Sequence, residues 1–365
     1  MKFFNSIFLD KVWRVIARKT DSIAGRFIPL RPTLELMAAR PYELHLELTN
    51  ICNANCVFCP YQYQTRPTQF MSDAVFQKAV SDFVGLGGGS VGLTPIVGDA
   101  LVDPKFVERV RYLRSIPAID RVWVTTNAIL LEKRGVEDVL SSGLTSITIS
   151  TSGFDEASYR RIYRSNQYAK VRRSVLKLLD ANSRKAEPLK ISIGLRTDRD
   201  LDIVLKDPDF QPMLRFQPDI DFTWSYTSAG GRITRDNLPN GFRLRVVSYR
   251  KEACVQLFHG PIVLPDGTVM ACSCVAAMDA VSDLGIGNIL ENGLGDIWRT
   301  SRMAGIRASF GTPQLNKTCG SCDMYRDLEL YRTREGRRRA KLSHARSLGQ
   351  IQRRKENPKG AFDGG

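Results

Sequence analysis

Nowhere does this 365-residue chain hold the roughly 18–20 consecutive apolar residues that a membrane-spanning helix needs. That excludes an α-helical membrane protein and leads us to expect a soluble or peripheral one. A secretory leader is missing too. Asp10, Lys11 and Arg14 interrupt the apolar part of MKFFNSIFLDKVWRVIARK, and no small-residue cleavage site follows. The stretch reads instead as a helix with Phe4, Phe8, Leu9, Val12, Val15 and Ile16 on one face. Such a helix either docks on the main domain or lies on a membrane surface. Without an export signal the expected compartment is the reducing cytoplasm. There a chain with only eight cysteines is not a disulfide scaffold, and closely spaced thiols serve metals or catalysis.

Acidic residues are nearly absent from the C-terminal tail. Between Arg332 and Lys359 eleven basic residues face two acidic ones, which accounts for nine of the fifteen net positive charges. The basic excess is therefore local, and it reads as a solvated extension able to meet RNA, an acidic membrane or an acidic partner. The glycine run GLGGGS (85–90) has no Lys-Ser or Lys-Thr after it and precedes a strand pattern, which excludes a phosphate cradle and leaves a turn.

What is present is an alternation of strand-like and helix-like segments. The strand candidates are ELHLELT (43–49), VGLTPIV (91–97), RVWVTT (121–126), SITIST (146–151), KISIGLRT (190–197) and IDFTWSYT (220–227). Helical patterns fall between them at 72–84, 104–115, 132–141, 155–164 and 170–183. This order predicts parallel strands with right-handed crossovers. The fold class is α/β, a partial (β/α)6 TIM-like barrel over 43–245, with its chemistry at the C-terminal ends of the strands. An N-terminal helix and linker (1–42) precede it. After about 245 the pattern changes to short strands and turns, with a hairpin at LPDGTVM (264–270), so a smaller domain is expected over 246–326 and the basic tail over 327–365.

Three cysteines, Cys52, Cys56 and Cys59, stand in CNANCVFCP just past the first strand. Three thiolates on one loop can converge on a single iron-sulfur cluster and leave one iron open, since a four-iron cluster normally takes four. Structural zinc is the competing reading; it wants four nitrogen or sulfur ligands, and no nearby histidine completes the set. The other five are Cys254, Cys272, Cys274, Cys319 and Cys322.

The C-x3-C-x2-C loop, with Phe58 just before its third cysteine, resembles that of the radical S-adenosylmethionine (SAM) superfamily. The resemblance implies a SAM-binding [4Fe-4S] cluster on Cys52, Cys56 and Cys59, reductive cleavage of SAM to a 5′-deoxyadenosyl radical, and hydrogen abstraction from substrate. IVGDALVDP (96–104) resembles the family's Gly-Gly-Glu-Pro segment, with Gly98 and Asp99 in place of Gly-Glu and Asp99 as acceptor for the SAM amino group; a turn or cap residue is the alternative. TTNAIL (125–130) and TISTSG (148–153) resemble the segments that end the third and fourth strands, which brings Asn127 and Ser150 to SAM. Arg196 is placed to pair with its carboxylate. The later cysteines resemble the auxiliary-cluster module called SPASM, in its shortened twitch form because no cysteine follows Cys322. This implies a small α+β domain with an auxiliary [4Fe-4S] cluster on Cys254, Cys272, Cys319 and Cys322. Zinc on the same four is the chemical competitor. Cys274 is left over as an alternative ligand, a buried thiol or a hydrogen donor to a substrate radical. The implied enzyme is an oxidoreductase of dehydrogenase or epimerase type acting on a carbohydrate-like small molecule. Peptide or protein side-chain modification is the alternative, and a non-catalytic iron-sulfur or zinc protein is the reading from another class. The expected electron donor is a flavodoxin or ferredoxin.

Overall fold

Six short segments with an apolar residue at every second position become six parallel strands: Glu43–Leu46 (β1), Gly89–Gly92 (β2), Ile119–Thr126 (β3), Ser146–Thr151 (β4), Lys190–Leu195 (β5) and Asp219–Phe222 (β6). They form part of one computed structural model, which describes residues 27–341 apart from 28, 224, 248–249 and 339–340. The segment expected to form an N-terminal amphipathic helix and the basic tail beyond Lys341, with the membrane and RNA contacts expected of them, lie outside the described residues. Among the described residues no helix is long and apolar enough to cross a membrane.

The strands lie side by side in chain order, β1 to β6, each parallel to its neighbour. Because side chains alternate along a strand, Leu44, Val91, Val122, Val124, Ile147, Ile149, Ile193 and Leu195 share one face, where they are buried. The helices Asp73–Gly85, Phe106–Ser115, Val136–Ser141, Glu156–Tyr163 and Tyr168–Ser183 follow strands β2 to β5 or precede them in turn, giving the expected partial α/β barrel. Ser72 and Asp155 cap two of these helices by accepting backbone N–H bonds from Val75 and from Ala157 and Ser158.

The opposite, inner face is polar, and the strand register arranges it in rows. His45, Gly92, Trp123 and Ser146 stand side by side, as do Thr125, Thr148, Ser192 and Asp219, and then Ser150, Gly194 and Asp221. Trp123 lies edge-on to His45 and donates its indole N–H to Glu43 at 2.8 Å. Gly92 is what lets it lie there: a Cβ at that position would come within 2.6 Å of the indole.

Four of the six strands are shorter than the sequence suggests, β4 has the expected bounds, and β3 begins two residues early at Ile119. β2 begins at Gly89, inside the run expected to be only a turn, and ends at Gly92; Gly88 makes the turn at φ +63°, where a Cβ would strike the Ala118 carbonyl. β6 ends at Phe222, with Tyr226 meeting Leu244 only as an isolated bridge.

The expected hairpin forms between Ile262–Val263 (β7) and Thr268–Met270 (β8), and Gly285–Asn288 (β9) pairs antiparallel with β8. β7 also pairs in parallel with β1, so all nine strands make one sheet, ordered β6-β5-β4-β3-β2-β1-β7-β8-β9. The start of the segment expected as a basic tail is packed: Leu328 and Tyr331 are buried, Tyr331 sits edge-on to Phe258 and His259, and Arg332 pairs with Glu252 at 2.6 Å.

Candidate active site

The chain leaves β1 through Glu47–Leu48–Thr49–Asn50 and enters the cysteine loop. Glu47 is fully buried, and its carboxylate accepts from Arg66 at 2.6 and 3.1 Å and from the Ile96 N–H at 3.0 Å. Asn50 accepts from the Gln69 N–H and donates to the Pro67 carbonyl, both at 2.9 Å. The loop is thus clamped where it begins and where it returns. Between these points the Val57 N–H bonds the Ile162 carbonyl at 2.9 Å, which holds the loop on the helix Glu156–Tyr163.

Cys56 is buried and Cys52 and Cys59 half-buried, all as free thiols. Burial pushes Cys52 up to about 12 and Cys59 up to about 11, and Cys56 well above the ordinary thiol range. After burial, the charges of Cys59 and Cys52 raise Cys56 further, so the three sulfurs sense one another. Three mutually opposed thiols in one apolar loop fit a cationic inorganic group, which alone lets them ionise together. Among the described residues no three His, Cys, Asp or Glu side chains close on a single metal ion.

Asp99 and Asn127 stand on the β2 and β3 side of this loop. Asp99 is buried and its carboxylate accepts from the Thr126 hydroxyl at 2.9 and 2.8 Å, the Asn127 N–H at 2.7 Å and the Leu101 N–H at 3.0 Å. Burial raises its pKa against the opposing effect of these bonds. Asn127 donates to the Asn53 side chain at 2.7 Å and approaches the Cys52 sulfur at 3.8 Å. Gly98, at φ +121°, passes so close to the cysteine loop that a Cβ would lie 2.9 Å from the Thr49 carbonyl oxygen.

On the β4 and β5 side, Ser150 shares a 2.8 Å hydrogen bond with the Tyr163 hydroxyl. Tyr163 meets Phe58 edge-on at 5.6 Å, and Phe58 lies against Tyr226 at 5.5 Å and Phe242 at 6.5 Å. Burial holds Tyr163 and Tyr226 above the ordinary phenol range, with the Arg196 charge opposing it at both, and Arg196 reaches Asp221 at 3.9 Å. Phe58, Ser150 and Arg196 therefore surround one aromatic cluster, while Gly98, Asp99 and Asn127 flank Cys52. The cysteine loop joins the two groups.

All five remaining cysteines line a second cleft, about 380 Å³ of space partly open to solvent, together with Leu257, Ala276, Ala277, Leu284, Phe310, Thr318 and Tyr325. Cys254 is raised to about 11, Cys319 and Cys322 to about 12, each first by burial and then by charge on neighbouring thiols. The Arg326 N–H meets the Cys254 sulfur at 3.5 Å and the Cys274 N–H the Cys272 sulfur at 3.4 Å. Thiols in an apolar wall with backbone donors on two of the sulfurs suit an iron-sulfur cluster. Cys274 stands here with the other four, not with the barrel-mouth residues.

Family models match the two segments that carry the cysteine groups. Residues 46–204 match the model of the radical SAM superfamily, and residues 254–323 that of SPASM, an iron-sulfur cluster-binding domain. The chain carries a radical SAM domain followed by a SPASM domain. Its cofactors are accordingly SAM, the SAM-binding [4Fe-4S] cluster and auxiliary iron-sulfur cluster content in the SPASM domain. A GTP 3′,8-cyclase of Vibrio atlanticus (strain LGP32) is 27% identical over 161 residues, which is 43% of this chain and 46% of that protein. One of Pectobacterium atrosepticum (strain SCRI 1043) is 29% identical over 43% of this chain and 44% of its own length. The chain spans about half the length of the curated relatives it matches. Streptococcus suis SuiB bound to its precursor peptide SuiA shares the fold, with a TM-score of 0.56 at 16% identity over 78% of this chain and 70% of that one.

The radical SAM reading of the sequence left out several residues that build its own site. Glu47 and Arg66 clamp the cysteine loop; the signal for Glu47 was a carboxylate at an inward position of ELHLELT. Tyr163 and Tyr226 complete the wall around Phe58, and they are far apart in sequence, so only the fold joins them.

Proposed function

We propose that this radical SAM enzyme abstracts a hydrogen atom from a small, polar, carbohydrate-like substrate and oxidises it on the inner face of the barrel. The observation that carries this reading is the chemistry of that face, where Thr125, Thr148, Ser192, Ser150 and Asp221 stand in adjoining register rows. Hydroxyls and carboxylates match a hydroxyl-rich ligand, hydrogen bond for hydrogen bond, and offer little to an apolar side chain. SAM on the reduced cluster supplies the 5′-deoxyadenosyl radical when bound.

The chain's own residues have separate tasks. Cys52, Cys56 and Cys59 hold the first cluster, and Cys254, Cys272, Cys319 and Cys322 the auxiliary one. Arg196 pairs with the SAM carboxylate, Ser150 meets the ribose, and Asn127 steadies the cofactor beside Cys52. Asp99 is the fixed negative charge next to the amino group, with Gly98 bringing it close to the loop. Phe58 and its tyrosine neighbours keep water from the reacting centre. Net oxidation is favoured over epimerisation by the place of Cys274, which lies in the auxiliary cleft and not among Phe58, Ser150 and Arg196. An iron-sulfur cluster held by Cys254, Cys272, Cys319 and Cys322 would supply a one-electron acceptor for the substrate radical, and a flavodoxin or ferredoxin is the expected reductant of the first centre.

The test is anaerobic reconstitution with SAM and dithionite, followed by assay of 5′-deoxyadenosine with deuterated sugars and aminocyclitols, GTP and peptides in parallel. Deuterium carried into 5′-deoxyadenosine from a sugar or aminocyclitol is the expected result. Transfer only from a peptide would make the enzyme a maturase, and transfer only from GTP would align it with the cyclases. No 5′-deoxyadenosine with both clusters loaded would leave a binding or electron-carrying protein. A chain ending at Lys341 should keep its turnover, which would make the basic tail and any RNA or membrane contact accessory.

A further inference from the structure

Three segments far apart in sequence meet at one carboxylate. Asp279, whose side chain is only 11% exposed, accepts from the Thr65 backbone N–H at 3.0 Å with one oxygen and from the Arg232 guanidinium at 3.4 Å with the other. Thr65 lies six residues beyond Cys59 and next to Arg66, the partner of Glu47, while Asp279 lies seven residues beyond Cys272. Arg232 closes the turn that follows β6, where Ala229, Gly230 and Gly231 run at φ 51°, 72° and 90° and the Arg232 guanidinium donates to the Ala229 carbonyl at 3.2 Å. A second buried carboxylate, Asp323, takes the Thr227 hydroxyl and the Ser228 N–H of the same turn. β6 ends the sheet on one side, and β1 is flanked by β2 and β7. The open side of the partial barrel, between its last strand and its first, is therefore bridged at the mouth by two carboxylates of the auxiliary half.

We propose that Asp279 is a positioning residue: it ties the first cysteine loop and the turn after β6 to the auxiliary segment, and so fixes the auxiliary cleft against the barrel mouth. Each oxygen holds a different partner, one a neutral amide and the other a cation, so the two halves of the tie are separable. The Thr65 half fastens the auxiliary segment to the loop that Glu47 and Arg66 already hold on β1. The Arg232 half holds the glycine-containing turn on the same carboxylate. The inference deepens the reading of the protein as an oxidoreductase whose auxiliary cluster takes the substrate electron, and rests on it: such a transfer depends on where the acceptor stands, and a small displacement made far from the chemistry is costly.

The experiment compares the full chain, with both clusters loaded and no substrate, with Asp279→Ala, Asp279→Asn and Arg232→Gln. Amide deuterium exchange is followed at residues 60–66 and 227–233, and the magnetic coupling between the two reduced clusters is read by electron paramagnetic resonance. Asp279→Ala is expected to keep wild-type iron and sulfide, to speed exchange at both segments about tenfold, and to weaken the coupling between the clusters. Asp279→Asn, whose amide oxygen still accepts from Thr65, is expected to keep residues 60–66 protected and to release only the turn. Arg232→Gln should do the same with Asp279 intact, which keeps the test decisive if the alanine variant does not fold. Unchanged exchange in Asp279→Ala would overturn the proposal by showing that there is no tie. Faster exchange with unchanged coupling would overturn it by reducing the tie to a local contact, and loss of iron from the first centre would overturn it by making Asp279 a support of the loop itself. Neither readout depends on substrate or on SAM cleavage, so failure of the carbohydrate oxidation reading would leave these results intact.

Discussion

Two residues beside the cysteine loop are held in forms they would not adopt in water. The Glu47 carboxylate is fully buried against Arg66, so replacing it with alanine strands a guanidinium in the interior, at a cost of about 3–5 kcal/mol. Chemical denaturation should show that loss, and because the pair also clamps the loop, reconstituted iron at the first cluster should fall with it. Gly98→Ala puts a methyl group 2.9 Å from the Thr49 carbonyl oxygen at a φ of +121° and is expected to destabilise by about 1–3 kcal/mol. The thiols make a further prediction about pH. Burial pushes Cys52 and Cys319 up to about 12 and Cys59 up to about 11, so these thiols are protonated at neutral pH, and cluster binding must displace their protons. Loading should therefore improve as pH rises from 6.5 to 8.5 at fixed iron and sulfide, measured as iron bound per chain. No improvement would mean that the thiols are already ionised.

At the scale of elements, the site is a joint between strand ends. Asp99, from the segment after β2, receives the Thr126 hydroxyl at the end of β3 and the next N–H, so it fixes the spacing of two strands where the proposed cofactor residues sit. Asp99→Asn turns one acceptor into a donor facing donors, and about 1–3 kcal/mol of stability should be lost with it. In the cofactor assay this variant should weaken SAM binding more than it lowers iron content, whereas Cys56→Ala should do the reverse. The periodic apolar strands β1 and β3 to β5 were legible in sequence, and so were the helices between them, because a buried outer face demands an apolar residue at every second position, whereas β2 was read two residues late because its first half is the glycine run. β9 was not, because Gly285–Ile286–Gly287–Asn288 reads as a turn; it becomes a strand only because β8 offers a partner and Gly287 passes close over Ile297. The cysteines were legible as two groups, since chemistry restricts their spacing. The aromatic wall of Phe58, Tyr163, Tyr226 and Phe242 was not, because its members come from four segments and carry no shared motif.

For the whole molecule, the pairing of β1 with β7 matters most. His45 and Leu46 lie beside Ile262 and Val263, so the strand that leads into the first cysteine loop is flanked by one that belongs to the auxiliary half. A chain cut at residue 245 would expose the β1 edge and the apolar side chains β7 covers there, and such edges recruit other chains. We expect that fragment to aggregate, as judged by light scattering, where the full chain stays dispersed.

The docking of the cysteine loop also dictates an order of events during maturation. Cys56 is only 8% exposed, and the Val57 N–H is tied to the Ile162 carbonyl. Loading of the Cys56 sulfur needs access to it, so we expect the loop to leave its helix before iron is delivered and to settle afterwards. Biogenesis is then timed by local opening, and the amide of Val57 should exchange with deuterium faster in freshly synthesised, iron-free chains than in finished ones.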